Sequence, residues 1–157
     1  MKNIALALAV LVMSASATLA DAVALNTGNI KWGDAPPIFP KGAKFAVMAG
    51  DPNAKGLFIV RLQLPAKYRI PAHNHPTDEY VTVISGALYV GMGDKLDPSK
   101  GEKLSAGGFA TAPAGMNHYA WTTGKTVVQV EAEGPFGMNY VDPDDDPTKN
   151  PTDAKKK

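Results

Sequence analysis

The chain has 157 residues, with 16 Lys and Arg against 15 Asp and Glu, and a formal net charge of +1 at pH 7. This length predicts about one domain, and the near-zero charge argues against a dedicated nucleic-acid-binding protein, which usually carries a dense basic face. The chain has no cysteine, which excludes disulfides, thiolate nucleophiles and cysteine-ligated metals. Any site that uses imidazole must draw on the three histidines, His73, His75 and His118.

Residues 1–20 have the order of segments that is typical of a secretory signal peptide. One positive charge precedes an unbroken apolar run over residues 4–13, and small, polar residues follow over 14–20. The apolar run is too short to cross a bilayer, which needs roughly 20 residues. We therefore expect a periplasmic or secreted protein that has no membrane anchor once the signal is removed. The candidate cleavage positions follow Ala17, Ala20 and Ala22.

Residues 21–42 contain several glycines and prolines and are predicted to form an extended N-terminal arm over the surface. Its expected apolar anchors are Trp32, Ile38 and Phe39. At the other end, residues 142–157 are rich in Asp, Lys and Pro and have hardly any apolar side chain. Such a segment buries too little surface to offset its chain entropy, so it is predicted to be a disordered charged tail.

Residues 43–141 form the predicted folded domain, in which apolar and polar side chains alternate with a period of two. In residues 57–64, for example, Phe58, Val60 and Leu62 fall on one face, with Arg61 and Gln63 opposite. This alternation is typical of half-buried strands, and short strands separated by glycine and proline turns predict an all-β sandwich or barrel. Strands are predicted within residues 43–48, 57–64, 79–85, 87–92, 109–112, 118–122, 126–133 and 138–141.

The three histidines and one carboxylate have a spacing that suits metal ligands. His73 and His75 are two residues apart, so on an extended strand their side chains point to the same face. Glu79 follows at an even spacing beyond Pro76, and His118 begins a second predicted strand. If the fold brings these segments together, three imidazoles and a carboxylate surround a site that suits a first-row transition metal. A charged Glu79 in the interior favours this interpretation, because an unpaired buried carboxylate is costly.

These segments resemble the two sequence motifs of the cupin superfamily. The first is His73-x-His75-x3-Glu79-x6-Gly86, and the second is Gly107-x5-Pro113-x-Gly115-x2-His118. The resemblance covers roughly residues 45–133. The chain departs from the family pattern at two positions, where Lys67 replaces a glycine and Thr122 replaces an asparagine. Neither position is a proposed ligand.

The resemblance implies a small antiparallel jelly-roll barrel with a metal inside it. The implied ligands are His73, His75, Glu79 and His118. The implied cofactor is one divalent first-row transition metal, namely Fe, Mn, Cu, Ni or Zn. The expected function is that of an exported, metal-dependent oxidoreductase, similar to a dioxygenase, that acts on a small organic molecule. The alternatives are a non-catalytic periplasmic protein that binds or senses a metal or small ligand, and a metal-dependent isomerase or lyase.

Side chains that share a strand face with the implied ligands are candidates for lining a substrate pocket, although none of them is identified as catalytic. The candidates are Val81, Val83, Phe109, Met116, Ala120 and Thr122. Asp78 has the opposite parity to Glu79 and is expected to point outward. The expected partners are a small-molecule ligand and, because small cupins often pair through strand edges, a second copy of the chain.

Overall fold

The computed structural model describes residues 24–149. The predicted signal peptide and the last residues of the predicted tail, 150–157, lie outside the described residues. Within the described range no helix combines the length and the apolar character that a membrane span needs.

Residues 24–149 form eleven strands in two sheets, together with two short 3₁₀ turns at Thr27–Asn29 and Pro143–Asp145. The strands are β1 (Gly33–Asp34), β2 (Lys44–Ala49), β3 (Gly56–Leu64), β4 (Arg69–Asn74), β5 (Glu79–Ser85), β6 (Ala87–Met92), β7 (Glu102–Ser105), β8 (Phe109–Ala112), β9 (His118–Thr122), β10 (Thr126–Gly134) and β11 (Asn139–Tyr140). The larger sheet has the order β1-β2-β3-β10-β5-β8 and the smaller one β11-β4-β9-β6-β7.

Every strand pair in the two sheets is antiparallel, which confirms the predicted all-β jelly roll. The sheets are not hydrogen-bonded to each other into a closed cylinder. The β3 and β10 strands lie side by side, with Val130 opposite Val60 and Val128 opposite Leu62. All four side chains are buried in the core, as the alternation of β3 predicts. Burial of each such side chain contributes about 1.5–3 kcal/mol to folding.

The N-terminal arm is fixed to the core by two tyrosine hydroxyls. Tyr140 Oη donates a hydrogen bond to the carbonyl oxygen of Ile38 at 2.8 Å, and Tyr68 Oη donates one to that of Pro40. Phe39, between the two acceptors, is buried in the core, and Ile38 is half-buried against it. Burial raises the pKa of both tyrosines, which keeps both hydroxyls protonated as donors well above neutral pH.

The described chain differs from the sequence prediction in several places, and β1 and β4 are two strands that were not predicted. Residues 142–149, predicted as part of a disordered tail, instead form the second 3₁₀ turn and a loop in which Asp146 accepts hydrogen bonds from Thr148. The β7 strand was also not predicted. It is four residues long, lies at a sheet edge and buries little, so the alternation of its side chains is weak.

The two departures from the cupin pattern meet in one turn. Lys67 has a φ of 62° and is the only non-glycine residue with a positive φ among residues 24–149. Thr122 Oγ1 donates to the carbonyl oxygen of Pro65 at 2.6 Å and accepts from the Tyr68 N–H at 3.1 Å. The hydroxyl thus bonds the residues on both sides of the turn. Thr122, predicted to line the pocket, therefore has its side chain at the end of β9, bonded to this turn.

We expect Thr122→Val to lower the free energy of unfolding by about 2 kcal/mol, because it removes the hydrogen-bond partner of the buried Tyr68 N–H and that of the Pro65 carbonyl. Urea denaturation of the metal-free protein measures the change. The control is Thr123→Val at the exposed neighbouring position, which should change stability by less than about 0.5 kcal/mol. Equal stability of the two variants would show that the hydroxyl of Thr122 does not hold the turn.

Candidate metal centre

The fold brings the four predicted ligands to one end of the sandwich. His73 lies at the end of β4 opposite His118, the first residue of β9. His75 follows β4, and its carbonyl oxygen accepts a hydrogen bond from the Gly115 N–H at 2.9 Å. That bond joins the two motif segments. One potential ligand atom of each histidine lies within 4.8 Å of those of the other two, and all three side chains are buried.

A backbone carbonyl orients each imidazole ring. The pairs are His73 Nδ1 with the oxygen of Pro71 at 2.7 Å, His75 Nδ1 with that of Gly137 at 2.7 Å, and His118 Nδ1 with that of Met116 at 3.0 Å. A carbonyl oxygen only accepts, so each Nδ1 must carry the proton and donate it. In the neutral ring, Nε2 then keeps its lone pair, which is the form that ligates a metal.

Glu79, the first residue of β5, completes the cluster. Its Oε2 lies 3.3 Å from His118 Nε2, and its Oε1 lies 3.5 Å from His75 Nε2. The side chain of Glu79 is only 12% exposed. His75 Nε2 is buried and has no hydrogen-bond partner. An orphaned imidazole nitrogen beside a buried carboxylate is satisfied by a cation, so the donor set fits a metal ion. Adjacent Asp78 is exposed and accepts a hydrogen bond from the Ala114 N–H instead.

The electrostatics favour neutral His73 and a charged Glu79. Burial, together with the neighbouring histidines, lowers the pKa of His73 to about 3. Burial alone would raise the pKa of Glu79, but the hydrogen bond from His118 and the nearby imidazoles hold it below the ordinary 4.5. Burial likewise opposes protonation of His118, yet its bond to Glu79 and the carboxylate charge raise its pKa above 6.5. The Glu79–His118 pair therefore binds a proton more strongly than an isolated imidazole does.

A small cavity, which we call the inner chamber, adjoins the four side chains between the sheets. Its space for water-sized molecules is about 50 Å³. Val81 and Ala120, two of the predicted pocket residues, line it. Besides the four cluster residues, Thr111 is the only polar one among the described residues that line it, and it is an exposed residue that pairs with exposed Tyr80 in the register of β8 against β5. The chamber thus offers no acid or base beyond the cluster itself.

The other predicted pocket residues lie elsewhere. Val83 is 1% exposed within the hydrophobic core, and Met116 is an exposed turn residue that bonds His118 only through its carbonyl oxygen. Phe109 is 56% exposed and stacks on Tyr80 on the outer face of the larger sheet. Phe109 pairs with Thr82 in the register of β8 against β5, which turns it outward. This register depends on the pairing of two strands, so the alternation of residues within β8 alone does not predict which face Phe109 occupies.

Sequence reasoning missed residues that contact the cluster from the segment after β10. The ring of Phe136 lies 5.0 Å from that of His75, and Met138 lines the inner chamber. It also missed a chain of amides beside the ligands. Asn74 Nδ2 donates to Asn117 Oδ1 at 2.7 Å, and Asn117 Nδ2 donates to Asp94 Oδ1 at 2.7 Å. Each asparagine precedes a histidine of the cluster in sequence, so these bonds connect the two histidine-bearing segments.

We expect Glu79→Gln to lower the pKa of His118 in the metal-free protein, because the carboxylate is what holds that pKa above 6.5. NMR titration of the His118 ring protons measures the shift. The matched control is Asp78→Asn, which removes the adjacent exposed carboxylate and should leave the pKa unchanged. The stabilisation from protonated His118 should be lost as the pH rises through its folded pKa, and in Glu79→Gln it should be absent. An unchanged His118 pKa in Glu79→Gln would contradict the pairing.

Comparison with known sequences matches residues 16–139 to one family, described as a domain of unknown function, DUF4437. No curated protein matches the chain significantly.

Solved structures resemble this one at low sequence identity. The polyketide cyclase RemF from Streptomyces resistomycificus has a TM-score of 0.67 at 16% identity, over 83% of this chain and 93% of its own. A candidate acetylacetone dioxygenase from Methylibium petroleiphilum PM1 has a TM-score of 0.62 at 17% identity, over 83% and 88%. A sugar phosphate isomerase of the cupin superfamily from Silicibacter pomeroyi DSS-3 has a TM-score of 0.57 at 17% identity, over 75% and 81%.

At these identities the similarity concerns the fold. The shared fold is the one that the two motifs predict, the cupin jelly roll. Because the match to the family spans most of the sequence, the chain belongs to the DUF4437 family, and its fold is that of a cupin.

Proposed function

We propose that this chain binds one divalent first-row transition metal through His73, His75, Glu79 and His118. We further propose that it is a metal-dependent oxidoreductase of the dioxygenase type that acts on a small organic molecule. The observation that carries the proposal is the buried, unpartnered Nε2 of His75, which faces a buried carboxylate and lies beside two further imidazoles.

The donor set indicates which metals fit. Neutral imidazoles and one carboxylate suit Fe, Mn, Ni, Cu and Zn, whereas a site made only of oxygen ligands would suit Mg or Ca. A bound ion of this group supplies Lewis acidity and, when it is redox-active, electron transfer with a substrate or with dioxygen. The protein holds the three rings in their ligating tautomer, places one negative charge beside the metal and surrounds the site with apolar side chains that exclude water.

The shortage of acid–base groups favours redox chemistry over isomerisation or elimination. Proton transfer requires a positioned acid or base within hydrogen-bond reach of the substrate. Outside the cluster, the described residues that line the inner chamber include no acid or base. The fold similarity to a candidate acetylacetone dioxygenase supports the same choice.

We expect the purified protein to take up one metal ion per chain and, when loaded with Fe²⁺, to consume dioxygen with small diketones or phenols. His75→Ala should lower metal affinity at least ~100-fold and abolish oxygen uptake, because it removes a ligand. The apo His75→Ala protein should keep its fold, since the apolar core does not depend on that ring. Elemental analysis and an oxygen electrode measure the two quantities, and Asp78→Asn serves as the variant that keeps both.

The outcomes separate the proposed oxidoreductase from its alternatives. A protein that fails to retain Fe, Mn, Ni, Cu or Zn after loading refutes the metal site. A protein that binds one metal but consumes no oxygen with any of these compounds refutes the oxidoreductase and favours the non-catalytic binding protein.

We also propose that the chain is exported to the periplasm or secreted, on the basis of the signal-like pattern of residues 1–20. Mass spectrometry of the protein expressed with its full sequence in a Gram-negative host should find a mature chain in the periplasm or medium. That chain should begin after Ala17, Ala20 or Ala22. Retention of the uncleaved chain in the cytoplasm would contradict export.

A further inference from the structure

The inner chamber is too small to hold an organic substrate. Its open space of about 50 Å³ corresponds to a few water molecules, given that one water needs on the order of 10–15 Å³ by this measure. Ligand sites for small molecules usually range over roughly 300–1,000 Å³. The body of a substrate that reaches the metal centre must therefore lie outside the inner chamber.

A second cavity, which we call the outer chamber, has room for that body. It lies between the N-terminal arm, β2 and β3, and its open space is about 370 Å³. Four residues line both chambers and form their shared wall. They are Phe39, Leu62, Glu79 and Val130. A metal ligand thus borders both spaces, which places the outer chamber directly beside the metal centre.

Phenylalanine is the most frequent residue in the lining of the outer chamber. Four of the five phenylalanines in the chain face it, namely Phe39, Phe45, Phe58 and Phe136. Phe136 stacks on Phe39 with ring centroids 6.1 Å apart and meets Phe58 edge-on at 5.6 Å. Offset and edge-on arrangements of this kind are the ones that aromatic rings prefer, and a planar guest can extend them.

The charges in the outer chamber exclude anions. Among the described residues its lining contains no Lys or Arg, and the charged residues there are Glu79 and Asp51. A carboxylate, sulfonate or phosphate group placed there would be desolvated beside like charges without a partner. The chamber therefore discriminates against sugar acids and sugar phosphates.

The arm that closes the outer chamber is held in place. Pro36, Ile38 and Phe39 of the arm line the chamber, and the hydroxyl of Tyr140 bonds the backbone of Ile38. The chamber is thus largely pre-formed, so a ligand does not have to order the arm when it binds.

We propose that the outer chamber is a binding site for uncharged aromatic or aliphatic molecules, and that it holds the apolar body of the substrate beside the metal centre. The statement that a metal centre adjoins the outer chamber rests on the proposed function. The binding of an apolar ligand does not depend on it.

The test compares two probes that differ by one sulfonate: N-phenyl-1-naphthylamine, which is uncharged, and 8-anilino-1-naphthalenesulfonate. Fluorescence titration of metal-free and Zn²⁺-loaded protein should show saturable one-site binding of the neutral probe, at least ~10-fold tighter than that of the anion.

Val47→Trp should weaken binding of the neutral probe at least ~10-fold, because the new ring fills the chamber. Val47 is 49% exposed and lines the chamber, so the fold should tolerate the change. The matched control is Ile84→Trp, at a 38% exposed strand position in the same sheet that does not line the chamber. It should bind within about twofold of the wild type. A second variant, Asn53→Lys, adds a cation at an exposed lining position and should tighten binding of the anionic probe at least ~3-fold.

Equal loss of neutral-probe binding in the two tryptophan variants, or preference for the anion in the wild type, would overturn the proposal. Failure of metal binding with intact probe binding would refute the metal site and leave the outer chamber standing. Metal binding without probe binding would refute the outer chamber alone.

Discussion

Three hydrogen bonds from imidazole to backbone determine what this end of the molecule can do. They direct the Nδ1 protons of His73, His75 and His118 to carbonyl oxygens, so that in each neutral ring Nε2 keeps the lone pair that the proposed metal site requires. The acceptor for His75 is Gly137, which is 62 residues away, so the segment after β10 takes part in building the site. Without these bonds the rings could rotate or change tautomer, and the buried carboxylate of Glu79 would lose its neighbours.

The apolar surroundings are as important as the donor atoms. The inner chamber gives Glu79 and the imidazoles little water, which strengthens their interactions and makes an unpartnered nitrogen costly. The outer chamber extends the apolar environment toward the arm, where four phenylalanines provide a surface for an uncharged guest. A small polar site beside a larger apolar space is a common design for small-molecule recognition, because the polar groups orient the ligand and the apolar space binds its body.

The sequence predicted the fold class, most strands and the convergence of the four cluster residues, because each depends on local alternation or on the two motifs. It misplaced Phe109, whose direction depends on the register between β8 and β5. It missed Phe136, which follows the last long strand and carries no motif signal. Thr122 and Lys67 are separate departures from the family pattern in the sequence, yet in the structure the hydroxyl of Thr122 bonds both sides of the turn that contains Lys67. Contacts between residues more than 50 positions apart in the sequence, such as these, are visible only when the chain is folded.

The most direct test is anomalous diffraction from crystals of the protein loaded with Mn²⁺ or Zn²⁺, recorded at the absorption edge of the metal. One strong anomalous peak bonded to the Nε2 atoms of His73, His75 and His118 and to a carboxylate oxygen of Glu79 is the expected result. A peak bound elsewhere, or fully loaded crystals in which these four side chains contact no metal, would contradict the proposed site.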